Sequence, residues 1–119
     1  RLLNEPLVSR AADRIVVRTG GEISFVPVSE VVYIEAFDDY VKIFTSDDYF
    51  LKKKTMNYYE SALDSSQFLR VHRSFIINLH CLMRIEPYEK NSYVALLKGG
   101  KRVPVSRTAY PRLKMVLGF

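Results

Sequence analysis

From Arg14 onward the chain alternates short apolar runs with turn residues, the rhythm of a mainly β protein. Ile15-Val16-Val17 is a β-branched run that stops at Gly20-Gly21, and Glu22 to Val26 resumes it as far as Pro27. Val31-Val32-Tyr33-Ile34 is apolar at every position, which predicts a strand buried on both faces. Beyond Glu35 to Asp39, Val41, Ile43 and Thr45 alternate with Tyr40, Lys42 and Phe44, as a strand requires. Ser46-Asp47-Asp48 is a turn, and Tyr49-Phe50-Leu51-Lys52 returns as the partner strand of a hairpin.

The period then changes. Thr55 is a helix N-cap candidate, and Met56, Tyr59 and Leu63 fall on one face of a two-turn helix that Ser65-Ser66 ends. Extended segments follow at Arg70–Ser74, Phe75–Asn78 and Leu82–Ile85, the last closed by Pro87. Tyr93 to Leu97 and Arg102 to Val105 flank a tight Gly99-Gly100 turn; Pro104 has no N–H and belongs on a sheet edge. Tyr110, Leu113, Val116 and Leu117 share a face of a C-terminal amphipathic helix. Pro111 must lie in its first turn, which favours Thr108 or Arg107 over Ser106 as the cap. Residues 1–13 show no clear period and read as a linker or terminal extension; residues 14–119 form one mostly β domain with two short helices.

Composition narrows the class. At 48% hydrophobic and 26% charged in 119 residues, the chain can build a core, so intrinsic disorder is excluded. A single cysteine, Cys81, excludes an internal disulfide framework, and the chain reads as a cytoplasmic domain. No apolar run reaches the roughly 20 residues of a membrane span, so no membrane partner is expected. Charge is uneven: residues 1–66 hold 8 Lys/Arg against 11 Asp/Glu, net −3, while residues 67–119 hold 10 against 2, net +8. A basic half of that kind suits a polyanion such as nucleic acid.

Catalytic and metal signals are weak. Asp38-Asp39 could hold Mg²⁺, but the third carboxylate and the parallel βα units of such sites are missing, and a turn explains the pair. His72, His80 and Cys81 match no zinc spacing. His72 and Ser74 could face each other on a strand, but no nucleophile elbow accompanies them. There is no phosphate loop or GxGxxG pattern, so neither cofactor nor metal is expected and the chain is not read as an enzyme. Three segments concentrate polar residues: Asp38-Asp39-Tyr40 with Lys42; His72-Arg73-Ser74; and Lys98 to Arg102 with Ser106-Arg107-Thr108. Arg bonds guanine O6 and N7 bidentately, and Ser and Thr suit phosphate oxygens. On these grounds a duplex DNA reader stands beside a single-strand or RNA β-barrel module that would stack bases on Phe37 and Tyr40, and beside a protein-interaction module.

Phe68 to Asn78, Phe-Leu-Arg-Val-His-Arg-Ser-Phe-Ile-Ile-Asn, resembles the signature segment of LytTR-type DNA-binding domains. Val31 to Ala36 with Tyr40-Val41-Lys42 resembles an earlier block of that family, and Arg102 to Arg107 its closing block, in the same order and spacing. The resemblance covers about residues 14–117. It implies an elongated arrangement of short antiparallel strands. It also implies sequence-specific recognition of bacterial promoter DNA through loops, by the output half of a two-component response regulator. A receiver domain would precede residues 1–13, and two protomers would bind direct repeats, pairing on DNA. Carried over by position, Arg73, Arg107, Asp39, Tyr40 and Val41 would contact bases, and Lys42, His72, Ser74, Lys101 and Ser106 the DNA backbone. Asp39 stands where many members carry Asn; its carboxylate can accept from cytosine N4. Pro111 departs from members whose last helix starts directly after the Ser-Arg pair, which re-aims Arg107.

Overall fold

The computed structural model describes residues 13–119, so the expected linker lies almost wholly outside the described residues. Ten strands and two α-helices follow in order: β1 (Arg14–Thr19), β2 (Glu22–Pro27), β3 (Tyr33–Phe37), β4 (Tyr40–Phe44), β5 (Tyr49–Lys52), α1 (Met56–Ala62), β6 (Phe68–His72), β7 (Phe75–Asn78), β8 (Leu82–Pro87), β9 (Tyr93–Leu97), β10 (Arg102–Val105) and α2 (Ala109–Leu117). Every strand pairing is antiparallel. They form a β1–β2 hairpin, a five-stranded sheet in the order β5-β4-β3-β7-β6, and a three-stranded sheet in the order β10-β9-β8. The principal extents, 47 × 36 × 24 Å, describe an elongated body. No helix among the described residues is long and apolar enough to cross a membrane.

The five-stranded sheet has a core on each face. Ile34, Val41, Ile43 and Ile76 point to one side, where the β1–β2 hairpin and α1 cover them with Ile15, Val17, Val26, Met56 and Tyr59. Tyr33 and Ile77 point to the other, where the three-stranded sheet and α2 supply Ala95, Leu97, Val103, Val105 and Leu113. This is why the run from Val31 to Ile34 is apolar throughout: Val31 and Ile34 enter the first core, Val32 and Tyr33 the second. Regular β3 pairing begins only at Tyr33, but all four residues are buried.

Buried Asn78 ties the approach to β3 to the end of β7. Its Nδ2 donates to the Val31 carbonyl at 2.8 Å, and its Oδ1 accepts the His80 N–H at 2.9 Å. Its main-chain N–H donates to the Val32 carbonyl at 3.0 Å. The side chain therefore serves the two ends of β3 and β7 where the backbone leaves the ladder.

The helices follow the sequence closely, with two corrections. Thr55 caps α1, its hydroxyl accepting the Tyr58 N–H at 3.0 Å, and Met56, Tyr59 and Leu63 are buried. The helix ends at Ala62, before the Asp64-Ser65-Ser66 turn. At α2, Thr108 stands in the cap position, as expected, but the side-chain bond comes from Ser106. Its Oγ accepts the Ala109 N–H at 3.2 Å, and its carbonyl accepts the Tyr110 N–H at 3.1 Å. Thr108 already has helical dihedrals (φ −75°, ψ −25°) and makes no side-chain cap bond. The buried face of α2 is Ala109 and Leu113, with Tyr110 half-buried; Val116 and Leu117, expected on that face, are 47% and 42% exposed, Leu117 lining an open groove beside β8. Pro111 lies in the first turn and Pro104 on the edge strand β10, both as expected.

Asn78→Ala removes the buried bond to the Val31 carbonyl and the part-buried one from the His80 N–H, and should cost about 1–3 kcal/mol in urea unfolding. Ser106→Ala should cost about 1 kcal/mol and Thr108→Ala only a few tenths. The same loss from both would give Thr108 a side-chain share in the cap bond.

Candidate nucleic-acid interface

Strand direction gathers Asp38-Asp39-Tyr40, His72-Arg73-Ser74 and Ser106-Arg107-Thr108 at one end of the molecule. β3 runs toward the Asp38-Asp39 turn, and β7 starts beside it from the Arg73-Ser74 turn. The Ala36 N–H donates to the Ser74 carbonyl at 2.9 Å, joining these two turns. β10 ends at the same place, where the Ser106 N–H donates to the Val71 carbonyl at 2.8 Å.

Asp38-Asp39 is a two-residue hairpin loop between the paired residues Phe37 and Tyr40. Asp38 sits at φ +55°, a left-handed conformation that Asp tolerates better than most residues. Phe37 and Tyr40 are 46% and 40% exposed, and both aspartates are exposed. Val41, expected to contact a base, is 1% exposed; its side chain belongs to the first core. Lys42 is half-buried, its ammonium 4.3 Å from the Phe37 ring centre and 5.0 Å from that of Tyr49.

In the Arg73-Ser74 turn the Arg73 carbonyl and both polar backbone groups of Ser74 have partners. The Arg73 carbonyl accepts from Arg70 Nη2 at 2.6 Å and Nε at 3.2 Å. The Ser74 N–H donates to His72 Nδ1 at 3.1 Å, and the Ser74 carbonyl takes the bond from Ala36. Neither residue has positive φ; a bulge between Arg70 and His72 absorbs the twist mismatch. Partial burial, and then the neighbouring Arg73 charge, hold the His72 imidazole below its ordinary pKa. A neutral ring keeps Nδ1 as an acceptor and places its proton on Nε2. His72 and Ser74 thus meet through the serine main chain, not its hydroxyl, so the nucleophile–base bond of a hydrolase is not made. The Arg73 side chain is exposed.

In the third loop the Ser106 hydroxyl, besides capping, lies 3.3 Å from that of Thr108, and Arg107 is exposed. Tyr110 stacks on Tyr93 with ring centres 3.8 Å apart, which docks the first turn of α2, and with it Arg107, against β9.

Lys101 is the expected residue that falls elsewhere. It lies in the β9–β10 turn, at the opposite end of β10 from Ser106, with its ammonium 5.4 Å from the Tyr33 ring centre. The four residues of β10 lie between the two sites, so five strand steps separate them by about 16 Å. Two residues not singled out in the sequence take a place at the interface end. Lys53 and Lys54 follow β5 and line a cleft with Asp38, Asp39 and Tyr40. They belong to the net-acidic half, so the charge division hid them; three consecutive lysines at a strand end were the available signal. Among the described residues, no group of three or more His, Cys, Asp or Glu gathers as a metal site.

Comparison with known proteins agrees with this geometry. A family model for the LytTr DNA-binding domain matches residues 21–118. The chain is 32% identical over 104 residues to the sensory transduction protein LytT of Bacillus subtilis, covering 87% of this chain and 43% of that protein. It is 30% identical over 111 residues to the transcriptional regulatory protein YpdB of Escherichia coli K12, covering 92% of this chain and 46% of that one. The chain thus spans less than half the length of these relatives. A solved LytTr DNA-binding domain from Bacillus cereus superposes with a TM-score of 0.82 at 29% identity, covering 90% of this chain and 98% of that one. With its three loops, its sheet order and nearly its whole described length accounted for, the chain belongs to the LytTR DNA-binding domain family.

Proposed function

We propose that this chain is the DNA-binding output domain of a bacterial response regulator and that it reads a specific duplex sequence through its clustered loops. The observation that carries the reading is the convergence of two exposed arginines, Arg73 and Arg107, on short loops joined to β6 and held by internal hydrogen bonds. A guanidinium on a fixed turn can meet guanine O6 and N7 as a pair, at little ordering cost. Asp39 and Tyr40 present the third contact, while Val41 shapes that loop from within the core. His72 through Nε2–H, together with Ser74, Ser106 and Lys42, faces phosphates, and Lys53 and Lys54 extend that footprint. Lys101, set back along β10, holds a flanking phosphate. The domain acts by binding rather than catalysis. Two protomers occupy a direct repeat, and a receiver precedes the domain in the full protein. Family membership favours duplex DNA over the single-strand alternative, in which the exposed Phe37 and Tyr40 would stack bases.

Selection from a random duplex library at physiological salt should enrich one motif, repeated directly, that the Arg73→Ala/Arg107→Ala variant fails to enrich. Arg107→Ala alone should cost about 1–3 kcal/mol on the enriched site and relax one base position. Lys101→Ala should weaken enriched and random DNA equally. Neutralising about six phosphates predicts a log–log salt slope near −5. Failure to enrich any motif would defeat the reading.

A further inference from the structure

Arg70 occurs in the signature segment, but neither composition nor spacing assigns it a task. Its surroundings do. The side chain is 19% exposed and lies along β6, three residues before Arg73. Nε and Nη2 both donate to the Arg73 carbonyl, and Nη1 donates to Asn57 Oδ1 at 2.6 Å and to Glu60 Oε1 at 3.0 Å. Asn57 and Glu60 both belong to α1. The planar fork is thus spent on protein acceptors: one edge grips the turn, the other grips the helix. The carbonyl of Arg70 in turn accepts from Arg112 Nη2 at 3.2 Å, and Arg112 lies on α2, the helix that Arg107 introduces. One residue therefore touches the Arg73 turn, α1 and α2.

We propose that Arg70 is a positioning residue for base recognition: it fixes the direction of Arg73 against α1 and ties that turn to the helix behind Arg107. The clamp rests on the base-reading role proposed for Arg73. It works without touching DNA. A short hairpin loop lacking a primed turn has no local means of holding its first carbonyl, and the guanidinium supplies one. With the clamp lost, the turn keeps its charge and its strands but samples several directions. Attraction to phosphates survives such motion; a bidentate bond to one base edge does not.

The test uses Arg70→Lys and Glu60→Gln, each checked for thermal unfolding. Affinity is measured for the duplex enriched by the parent chain and for a random duplex pool of equal length, across a salt series. The ratio of the two affinities should fall about 5- to 100-fold in Arg70→Lys, because lysine keeps the charge but cannot span both acceptor sets. Glu60→Gln gives a prediction of opposite sign to plain electrostatics. Removing an acidic charge should tighten both DNAs alike if charge alone matters, whereas a loosened clamp lowers the ratio. Glu60 is exposed, so its variant tests the proposal even if Arg70→Lys unfolds. An unchanged ratio in both variants, while Arg73→Ala lowers it, would overturn the clamp and leave the reading intact. Loss of affinity for both DNAs together, with a salt slope shallower by about one, would make Arg70 a phosphate contact and also overturn it. An unchanged ratio in Arg73→Ala would overturn the base-reading role and the clamp with it.

Discussion

The pairing of β3 with β7 constrains everything else in this domain. Both strands lie inside the five-stranded sheet, and both faces of that sheet are buried. The cross-strand pair Ile34–Ile76 serves one core and the adjacent pair Tyr33–Ile77 serves the other. A slip of one residue would exchange the two sets of side chains and spoil both cores at once. The register is therefore set twice over. Because the register is fixed, so is the place where the strands end, and the Asp38-Asp39 and Arg73-Ser74 turns emerge side by side. Asn78 secures the opposite end of the same pair, where ladder bonds run out.

The recognition end inherits its order from this centre through β6. An edge strand carries unpaired carbonyls, and here three partners use them. The Ser106 N–H takes that of Val71, Arg112 takes that of Arg70, and Arg70 itself takes that of Arg73 just beyond the strand. The same bonds that blunt the edge bring the second sheet and α2 to the interface. The acidic Glu60 is neutralised locally by Arg70. Glu86 is likewise spanned by Arg84, at 2.6 Å, and by Arg102, which hold its carboxyl below the usual range. The unpaired arginines at the tips are thus a selected subset of a larger basic population.

Most of the fold was legible because its signals are local. β5, β9 and β10 match the expected runs, and Thr55 caps α1 as its side chain and spacing require. What escaped is what depends on neighbours distant in the chain. Val116 and Leu117 have the right period, but nothing in the sequence tells how fully the rest of the fold covers that face. Thr108 holds the cap position of α2 as Pro111 required, but the side-chain acceptor is Ser106, which its bond to Val71 sets in place. Val41 reads as part of a contact loop until β4 turns its side chain inward. Arg70 and Arg73 are chemically alike and three positions apart, and only the location of Asn57 and Glu60 separates an internal strut from an exposed probe. Lys101 falls among basic neighbours in the sequence, while strand direction carries it away from them.

Both hairpin turns at this end have two-residue loops, and the backbone of the Arg73-Ser74 turn is held by Arg70, His72 and Ala36, all outside it. Replacing the side chain at Asp39 or Arg73 therefore alters neither a core nor a ladder bond. Such a scaffold separates the heritable problem of folding from that of target choice. On the base-reading role proposed for these tips, duplicated copies of the gene can diverge toward new operators by single substitutions there, without passing through unfolded ancestors.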